Sequence, residues 1–486
     1  MDGWFSREGA FDASWYQLPS NHHLGDLDWT GISSAIISHE HMDHLDPAFL
    51  RSLPRSVPLH VPFFDSTALI QKVIRHVGRA PKVLHGGVTH QIGDLEVRIW
   101  TELSPMNQDS TWVFRHGGRS VVHMVDSRLT PDQLDEIAEF AGTPDLLFVQ
   151  CAGASWFPLV YENYDEATKH VRGVRKRERK LSYALAAANR LRPVRLVACG
   201  GPPAFLDDSL RYANADPSFP TPAASCAWFV ANHYEAALAA PLPGDAFDVA
   251  AGTVVEDGEM HEAFSWAESA TYVAEYAERM RPHIEEVYRR ADALAIEVDA
   301  EVRAHFERML GLSPYFNHRI DMTLCLDIEG PDGGVWLVDF RKGTVRRGTT
   351  ADPHQYRYRF HSRWLKRILV DHLPWEDFLL SLRFKAFRDP DVYNDHLLGL
   401  LKFNDLRSLR AVEEYEKRNS DETIIVTAPD GTRFQIARFC PHGGAGLADA
   451  PIVGHRITCL NHHYEFDLDT GKCLNGNCTL RTSRLS

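Results

Sequence analysis

Apolar residues recur along this chain with two different periods, and the change of period marks its organisation. From about residue 30 to 250, short β-rich runs such as "LEVRIW" alternate with amphipathic runs such as "PDQLDEIAEF". This alternation predicts strands and helices in a layered α/β domain. From Val273 to Leu310 the apolar positions recur every three, four or seven residues, which predicts helices that are interrupted or kinked near Pro282.

Strand patterns return in the second half of the chain. The stretch "MTLCLDIEGPDGGVWLVDF" holds two apolar runs around a Pro-Asp-Gly-Gly turn and predicts a β-hairpin. Helical patterns follow to about residue 405, and from 410 onward short strands and loops appear, as in "ETIIVTAPDGTRFQIARF". We therefore predict three domains, covering residues 1–255, 256–406 and 407–486.

The net charge indicates which kinds of partner the protein can bind. The chain has 66 Asp and Glu against 52 Lys and Arg, a formal charge of -14, which disfavours electrostatic capture of nucleic acid. The basic run "VRGVRKRERK" predicts an exposed helix face, or alternatively a docking site for an acidic redox partner or a phosphorylated substrate. The first residues lack a signal-peptide pattern, and no apolar stretch approaches the roughly 20 residues of a membrane span. We expect a cytoplasmic protein that binds neither nucleic acid nor membrane.

One heptapeptide concentrates metal-binding side chains. "SHEHMDH" at residues 38–44 follows the apolar run "AII". On an extended loop His39, His41 and Asp43 project to one side and His44 to the other, so the loop offers ligands to two metal positions. Imidazole and carboxylate groups suit zinc and iron alike.

This heptapeptide resembles the first metal motif of the metallo-β-lactamase superfamily, whose fold is an αββα sandwich. The superfamily includes zinc hydrolases, iron dioxygenases and di-iron proteins. The resemblance implies a bridging aspartate after a later strand, and Asp126 in "SVVHMVDSRL" fits. Asn107 occupies the slot of an expected histidine, with Asp109 two residues on, and these two are weaker ligand candidates. The region of the last expected histidine, "LVACGGPPAF", contains none, which argues against a dinuclear zinc hydrolase.

Two nearby histidines are expected to be structural. His116 and His123 lie close to Asp126 in the sequence and could substitute for the missing ligands. In a regular strand, however, positions 123 and 126 lie on opposite faces.

A second signature lies near the C-terminus. Cys440 and His442 in "FCPHGGAGL" are separated by sixteen residues from Cys459 and His462 in "ITCLNHHYEFDLDTG". Two thiolates on one iron and two imidazoles on the other form a Rieske [2Fe-2S] cluster. A zinc knuckle is the alternative, but it usually has a wider first pair and would not explain the glycines after His442. Residues 410–486 resemble the Rieske ferredoxin domain, although Cys473 and Cys478 do not match the extra cysteine pair of respiratory Rieske proteins.

The two signatures together indicate redox chemistry. A Rieske cluster carries one electron, for which a hydrolytic zinc site has no use, so the lactamase-like metal is expected to be iron. The combination resembles the CMP-N-acetylneuraminic acid hydroxylase family, which joins the same two domains and inserts oxygen into a sugar nucleotide. "DGWFSREGAFDASW" and "CAGASWFPLVYEN" are among the similar stretches. In that family the Rieske domain is N-terminal, whereas here it is C-terminal. The middle segment resembles sterol-carrier-like modules.

These resemblances imply a Rieske non-heme iron monooxygenase with a [2Fe-2S] cluster and a mononuclear or dinuclear iron site. A ferredoxin, cytochrome or flavoprotein reductase would be the electron donor. Dioxygen would hydroxylate, N-oxygenate or desaturate a small molecule, either a nucleotide sugar or a natural-product intermediate. No catalytic residue is assigned beyond the metal ligands. Four tryptophans could line a pocket, though core positions are the commoner role: Trp4, Trp15, Trp112 and Trp156.

Two other functions remain open at this stage. The chain could be a metal hydrolase whose Rieske domain senses redox state. It could also be an electron-transfer protein that reduces dioxygen or nitric oxide without an organic substrate. A flavin domain would be expected beside the latter, and the sequence shows no glycine-rich phosphate loop to supply one.

Overall fold

The computed structural model describes residues 1–124, 126–153, 155–419, 421–442, 444–460 and 463–485. Its helices and strands form an N-terminal sandwich, a middle domain built on one sheet, and a small C-terminal β domain. In the part of the chain so described, no helix is long and apolar enough to cross a membrane.

The N-terminal domain contains two sheets. Three parallel strands, β1–β3, form the first, and seven strands in the order β10-β9-β8-β7-β6-β5-β4 form the second. A separate hairpin, β11–β12, follows, and a 3-10 helix covers Arg211–Ala215. The bounds are α1 (His22–Gly25), β1 (Ala35–Ile36), α2 (Pro47–Ser52), β2 (Leu59–Pro62), α3 (Ala68–Val77), β3 (Lys82–Leu84), β4 (Thr89–Ile92), β5 (Leu95–Thr101), β6 (Ser110–His116), β7 (Arg119–His123), α4 (Pro131–Ala141), β8 (Leu146–Gln150), α5 (Glu166–Leu191), β9 (Arg195–Cys199), α6 (Pro222–Ala231), β10 (Ala237–Ala239), β11 (Ala246–Asp248) and β12 (Thr253–Val255).

Burial explains the sandwich. Ile36 of the first sheet packs against Val97, Ile99 and Trp112 of the second, so the two sheets share an apolar interior. Helices α2 and α3 cover the outer face of the first sheet, and α4, α5 and α6 cover that of the second. The result is an αββα arrangement, in which the strands are buried on both faces and are therefore rich in apolar residues.

The middle domain consists of a five-stranded sheet in the order β15-β14-β13-β16-β17 with helices packed on it. Its core is filled by large side chains such as Trp336, Trp375, Phe316 and Phe378, each less than 3% exposed. The bounds are α7 (Gly258–Ala263), a 3-10 helix (Trp266–Glu268), α8 (Ser269–Asp292), α9 (Val298–Leu310), α10 (Pro314–Ile320), β13 (Thr323–Glu329), β14 (Gly334–Asp339), β15 (Thr344–Arg347), β16 (Tyr356–His361), α11 (Ser362–Val370), α12 (Trp375–Leu380), β17 (Lys385–Arg388), α13 (Asp395–Phe403) and α14 (Leu406–Asn419).

The C-terminal domain is formed by two three-stranded sheets, ordered β18-β19-β23 and β20-β21-β22. Cys440 and Cys459 lie in its apolar core, beside Phe434 and Phe466. The bounds are β18 (Thr423–Thr427), β19 (Arg433–Ala437), β20 (Ile452–Val453), β21 (Arg456–Thr458), β22 (Glu465–Asp467) and β23 (Thr482–Leu485).

The local predictions hold only in part. The hairpin is confirmed, since β13 and β14 pair antiparallel with Thr323 opposite Asp339. Helix α8, however, is not interrupted at Pro282, because its apolar face continues past the proline, and the interruption lies at 293–297. The alternative, a kink at Pro282, stays a prediction. The segment expected to be helical up to 405 contains β15, β16 and β17. In β16, "YRYRFH" alternates buried rings with less buried polar residues, which is the period of a strand.

Buried polar contacts join the N-terminal and middle domains. The Lys72 ammonium group on α3 lies 2.7 Å from the Asp377 carboxylate on α12, and both side chains are less than 10% exposed. Trp15 and Ser14 donate hydrogen bonds to the backbone carbonyls of Leu380 and Ser381. The two domains therefore share one interior rather than a hydrated surface.

We predict that Lys72→Met lowers the free energy of unfolding by about 3–5 kcal/mol, because it leaves the Asp377 carboxylate buried without its partner. The double variant K72M/D377L should recover most of this loss, since neither charge remains. Urea unfolding followed by tryptophan fluorescence measures both changes. Lys82→Met, at an exposed position of β3, is the control and should shift stability by less than about 0.5 kcal/mol. Equal losses in the single and double variants would contradict the prediction.

Candidate functional site

The metal-binding loop, by which we mean residues 38–44, follows β1 directly. The carbonyl of His41 accepts hydrogen bonds from the backbone N–H groups of His44 and Leu45, which turns the loop back on itself. Asp46 then caps α2 by accepting from Phe49 N and also accepts from the N–H groups of Phe5 and Ser6. The loop is therefore held between a strand end and a helix start.

The structure brings the five main ligand candidates together. His39 Nε2 lies 2.9 Å from His41 Nδ1, and His44 Nε2 lies 3.6 Å from both Asp43 Oδ2 and Asp126 Oδ1. His39, His44 and Asp126 each offer one potential ligand atom, and these three atoms lie within 4.8 Å of one another. We call these five residues the metal cluster. Their role as ligands stays a prediction.

The two weaker ligand candidates, Asn107 and Asp109, lie in different places. Asp109 Oδ1 lies 3.4 Å from His39 Nδ1, at the edge of the metal cluster. Asn107 instead donates a hydrogen bond of 2.9 Å to Glu102, and its side chain faces a different cavity. Only Asp109 is therefore placed to interact with a metal in this cluster.

His123 lies at the site, contrary to the expectation that it faces away from Asp126. Both residues line the same cavity, and the buried Nδ1 of His123 has no hydrogen-bond partner within the described residues. The reason is that β7 ends at His123, so the alternation of a strand does not extend to Asp126. His116 is the exposed last residue of β6, where its Nδ1 contacts the carbonyl of Asp94.

Burial and mutual repulsion set the charge states of the metal cluster. Burial, with the neighbouring imidazoles of His44 and His41, holds the pKa of His39 well below its usual value, so this imidazole is neutral and free to ligate. Burial opposes protonation of His44, but the carboxylates of Asp43, Asp126 and Asp2 outweigh it and raise the pKa of His44 to about 10. Burial raises the pKa of the Asp43 carboxyl.

Asp109 adds a third carboxylate to those of Asp43 and Asp126. Burial and the nearby Glu102 and Asp126 carboxylates raise the pKa of Asp109 to about 8. A bound cation would relieve this repulsion and favour the ionised forms.

These donors fit a metal ion. Asp43 Oδ1 and Asp126 Oδ1 are buried and accept no hydrogen bond from the described residues. Such orphaned oxygens are costly unless something satisfies them. Imidazole and carboxylate donors in this mixture suit iron or zinc.

Sequence reasoning missed residues that orient the ligands from outside the motif. Asp2 accepts from Ser38 N at 2.8 Å and contacts His44 Nδ1 at 3.2 Å, which leaves His44 Nε2 directed at Asp43 and Asp126. Glu376 of α12 lies 3.5 Å from His41 Nε2 and raises the pKa of His41 to about 9 against the effect of burial. No local pattern signals either residue, because both reach the loop through tertiary contacts.

A cavity of about 480 Å³ opens on the metal cluster. Its walls include Trp4, Phe5, Phe11 and Trp15, all from the first residues of the chain. This volume is in the range of small-molecule sites. Of the four candidate tryptophans, Trp4 and Trp15 line this cavity, whereas Trp112 and Trp156 belong to the apolar cores.

The Rieske-like loops present two buried thiols. Cys440 and Cys459 have no exposed surface, and each begins a tight turn, with Cys440 N donating to Ala445 O and Cys459 N donating to Tyr464 O. The buried imidazole of His442 directs Nε2 at Asp395, 3.2 Å away. His462 lies outside the described residues. Two thiols and an imidazole in this arrangement are donors of the kind that a [2Fe-2S] cluster needs.

The two remaining cysteines of this domain are buried and unbridged. Cys473 N contacts Cys478 O at 3.3 Å across a hairpin. Neither belongs to the two cluster loops.

A second cavity, of about 260 Å³, lies where the three domains meet. We call it the three-domain cavity. The polar residues around it include Asn107 and Arg128 of the N-terminal domain, Glu376, Asp395 and Lys402 of the middle domain, and His442 and Tyr464 of the C-terminal domain.

Three domain models match this chain. A beta-lactamase superfamily domain matches residues 10–199, an Rv3818-like, SCP2-like domain matches 298–418, and a Rieske [2Fe-2S] domain matches 403–484. The chain therefore has a metallo-β-lactamase-like N-terminal domain and a C-terminal Rieske domain, which confirms the predicted fold class.

Relatives share nearly the whole length. A protein of Mycobacterium tuberculosis that bears the name Rieske 2Fe-2S iron-sulfur protein Rv3818 is 29% identical to this chain over 513 residues. The match covers 98% of this chain and 94% of the relative's length. A similarly named protein of Mycolicibacterium smegmatis is 28% identical over 503 residues, spanning 96% and 92%. Among solved structures, CmlA, a diiron beta-hydroxylase from Streptomyces venezuelae, is 22% identical over 36% of each chain, with a TM-score of 0.28. No residue role passes from CmlA to this chain.

We predict that Asp2→Asn weakens metal binding by about 10- to 100-fold, because it removes the carboxylate that orients His44. Metal titration of the apoprotein with Fe(II) under argon, followed by metal analysis after desalting, measures the change. The control is Asp94→Asn, at an exposed turn away from the metal cluster. Equal affinity of the Asp2→Asn variant and the native chain would contradict the positioning role.

Proposed function

We propose that this protein is a Rieske-type non-heme iron monooxygenase. Its [2Fe-2S] cluster, on Cys440, His442, Cys459 and His462, would supply electrons, and iron in the metal cluster would activate dioxygen to hydroxylate or N-oxygenate a small molecule. This proposal carries forward the resemblance to the CMP-N-acetylneuraminic acid hydroxylase family in its division of labour. A ferredoxin, cytochrome or flavoprotein reductase is the proposed donor.

One observation carries the proposal. The imidazole of His442 and the side chain of Glu376, which contacts His41 of the metal cluster, face the same three-domain cavity. Glu376 lines this cavity and lies 3.5 Å from His41 Nε2, while Asp395 lines it and lies 3.2 Å from His442 Nε2. A one-electron carrier and a metal site in such proximity support redox chemistry rather than hydrolysis.

The side chains of this chain would bind and orient. Asp2 and Glu376 fix His44 and His41 through the ring nitrogens that face away from the other ligands. The aromatic wall of the 480 Å³ cavity, which includes Trp4 and Trp15, would exclude water from the substrate and supply apolar contact area.

The proposed substrate is a nucleotide sugar or a natural-product intermediate. The volume of the cavity admits a molecule of this size class. Polar groups of Gln150 and the backbone near Gly153 and Gly200 share its lining with the rings, so the cavity offers both stacking and hydrogen bonding.

The competing function is a hydrolase with a redox-sensing Rieske domain. Purified protein that holds zinc but no iron in the metal cluster, together with substrate turnover in the absence of oxygen, would favour hydrolysis and exclude the oxygenase. Iron at both centres and strict dependence on oxygen would exclude the hydrolase.

We predict that His442→Ala abolishes oxygen uptake supported by a ferredoxin and its reductase, because the cluster loses one of its imidazole ligands. Oxygen-electrode measurements with candidate substrates test this. The matched control is His455→Ala, which removes an imidazole of the same domain that is bonded to Asp430 and Asp469 instead. Oxygen uptake that persists in the His442→Ala variant at the native rate would refute the electron path.

A further inference from the structure

Helix α13 of the middle domain reaches both redox centres. Asp395, its first residue, contacts the Rieske domain, and Lys402, in its last turn, contacts the metal-binding loop. Seven residues at about 1.5 Å per residue separate the two by about 10 Å. Asn394 caps this helix by accepting from Leu397 N at 2.9 Å, so its start is firmly defined.

At the Rieske end, one carboxylate binds two side chains of the C-terminal domain. Asp395 lies 3.2 Å from His442 Nε2, and the Tyr464 hydroxyl donates to it at 3.0 Å. Asp395 N also donates to the Asn477 side chain at 3.1 Å. The carboxylate is nearly fully buried, so these contacts are not weakened by water.

At the other end, the helix binds the metal-binding loop. The Lys402 ammonium group lies 3.2 Å from Glu40 in that loop and 3.2 Å from Glu376, which in turn lies 3.5 Å from His41. Three short polar contacts thus connect the last turn of α13 to the metal cluster.

The centre of α13 packs closely against the N-terminal domain. Gly399 lies opposite Met106 of the N-terminal domain, and a methyl group added at Gly399 would collide with the Met106 sulfur. Glycine inside a helix lowers stability by roughly 0.5–1 kcal/mol relative to alanine, so a packing reason is required. The approach of Met106 is that reason, and it fixes α13 against the N-terminal domain.

We propose that the middle domain couples the two redox centres, with α13 as the element that holds the Rieske histidine His442 at one end and the metal-binding loop at the other. The inference rests on the proposed function and extends it, because it assigns the middle domain a role in electron transfer. The exchange would be of one electron, which a bound cluster would lose and a bound iron would gain, so it would require no further co-reactant. Asp395, Tyr464 and Lys402 act as positioning residues.

The charge on Asp395 has a measurable consequence at the cluster. A carboxylate beside His442 stabilises the more positive, oxidised cluster and lowers its midpoint potential. Asp395→Asn removes this charge while keeping the shape, so reduction should become about tenfold more favourable, which is about 59 mV for one electron. Tyr464→Phe removes a donor that partly neutralises the carboxylate, so the midpoint potential should fall. Loosening of the loop would not produce shifts of opposite sign.

The experiment uses the full chain with both centres loaded. Redox titration monitored by electron paramagnetic resonance gives the midpoint potential and the g values of the cluster in the native chain, Asp395→Asn and Tyr464→Phe. Asp405→Asn is the matched control, because its carboxylate accepts hydrogen bonds from Ser408 at the start of α14. It should leave the midpoint potential unchanged.

Lys402→Gln tests the opposite end of the helix. This variant should leave the midpoint potential unchanged but slow reoxidation of the reduced cluster by about tenfold, the usual scale of effects from residues that support metal ligands. Stopped-flow absorbance of the cluster measures that rate. If Asp395→Asn fails to retain its cluster, Tyr464→Phe and Lys402→Gln decide the matter.

The outcomes separate the two proposals. If the native cluster is reoxidised no faster with iron in the metal cluster than with zinc there, the proposed function fails. If the native chain shows this acceleration but Asp395→Asn and Tyr464→Phe leave both midpoint potential and reoxidation unchanged, the coupling role of α13 is overturned. Opposite shifts in midpoint potential and slow reoxidation in Lys402→Gln support it.

Discussion

The buried ammonium group of Lys402 is the contact on which the arrangement of this molecule depends. It lies 3.2 Å from Glu40 of the metal-binding loop and 3.2 Å from Glu376 of the middle domain. Burial opposes its charge, but the two carboxylates raise its pKa above the usual value. Since a buried charge is tolerated only with its partners, the loop and the middle domain cannot separate without exposing or stranding three charges.

The same constraint explains the composition of the metal cluster. It combines three imidazoles with two carboxylates, and Asp43 and Asp126 each keep a buried oxygen that lacks a donor among the described residues. A bound cation would satisfy these two oxygens. At the Rieske end, by contrast, a single carboxylate has two partners, since Asp395 contacts His442 and accepts a hydrogen bond from Tyr464.

The sequence predicted the sites whose residues are close neighbours along the chain. "SHEHMDH" and the Cys440–His442 pair can be recognised as metal-binding motifs in the sequence, because a turn of a few residues places each set on one side of the backbone. The prediction that His123 and Asp126 lie on opposite faces is wrong, because side chains alternate only within a strand and β7 ends at His123. The sequence does not predict β15, β16 and β17 of the middle domain, because the helices α11, α12 and α13 are interspersed with them along the chain.

The sequence by itself determined the class of metal donors, the two signature loops and the fold class. Only the tertiary structure decided that Asp2 orients His44 from 42 positions away and that Glu376 contacts His41. It alone placed both ends of α13 beside the two centres. The physical reason is that a local pattern encodes the donors that one loop can present, whereas burial of charge is balanced by partners brought from any point of the chain.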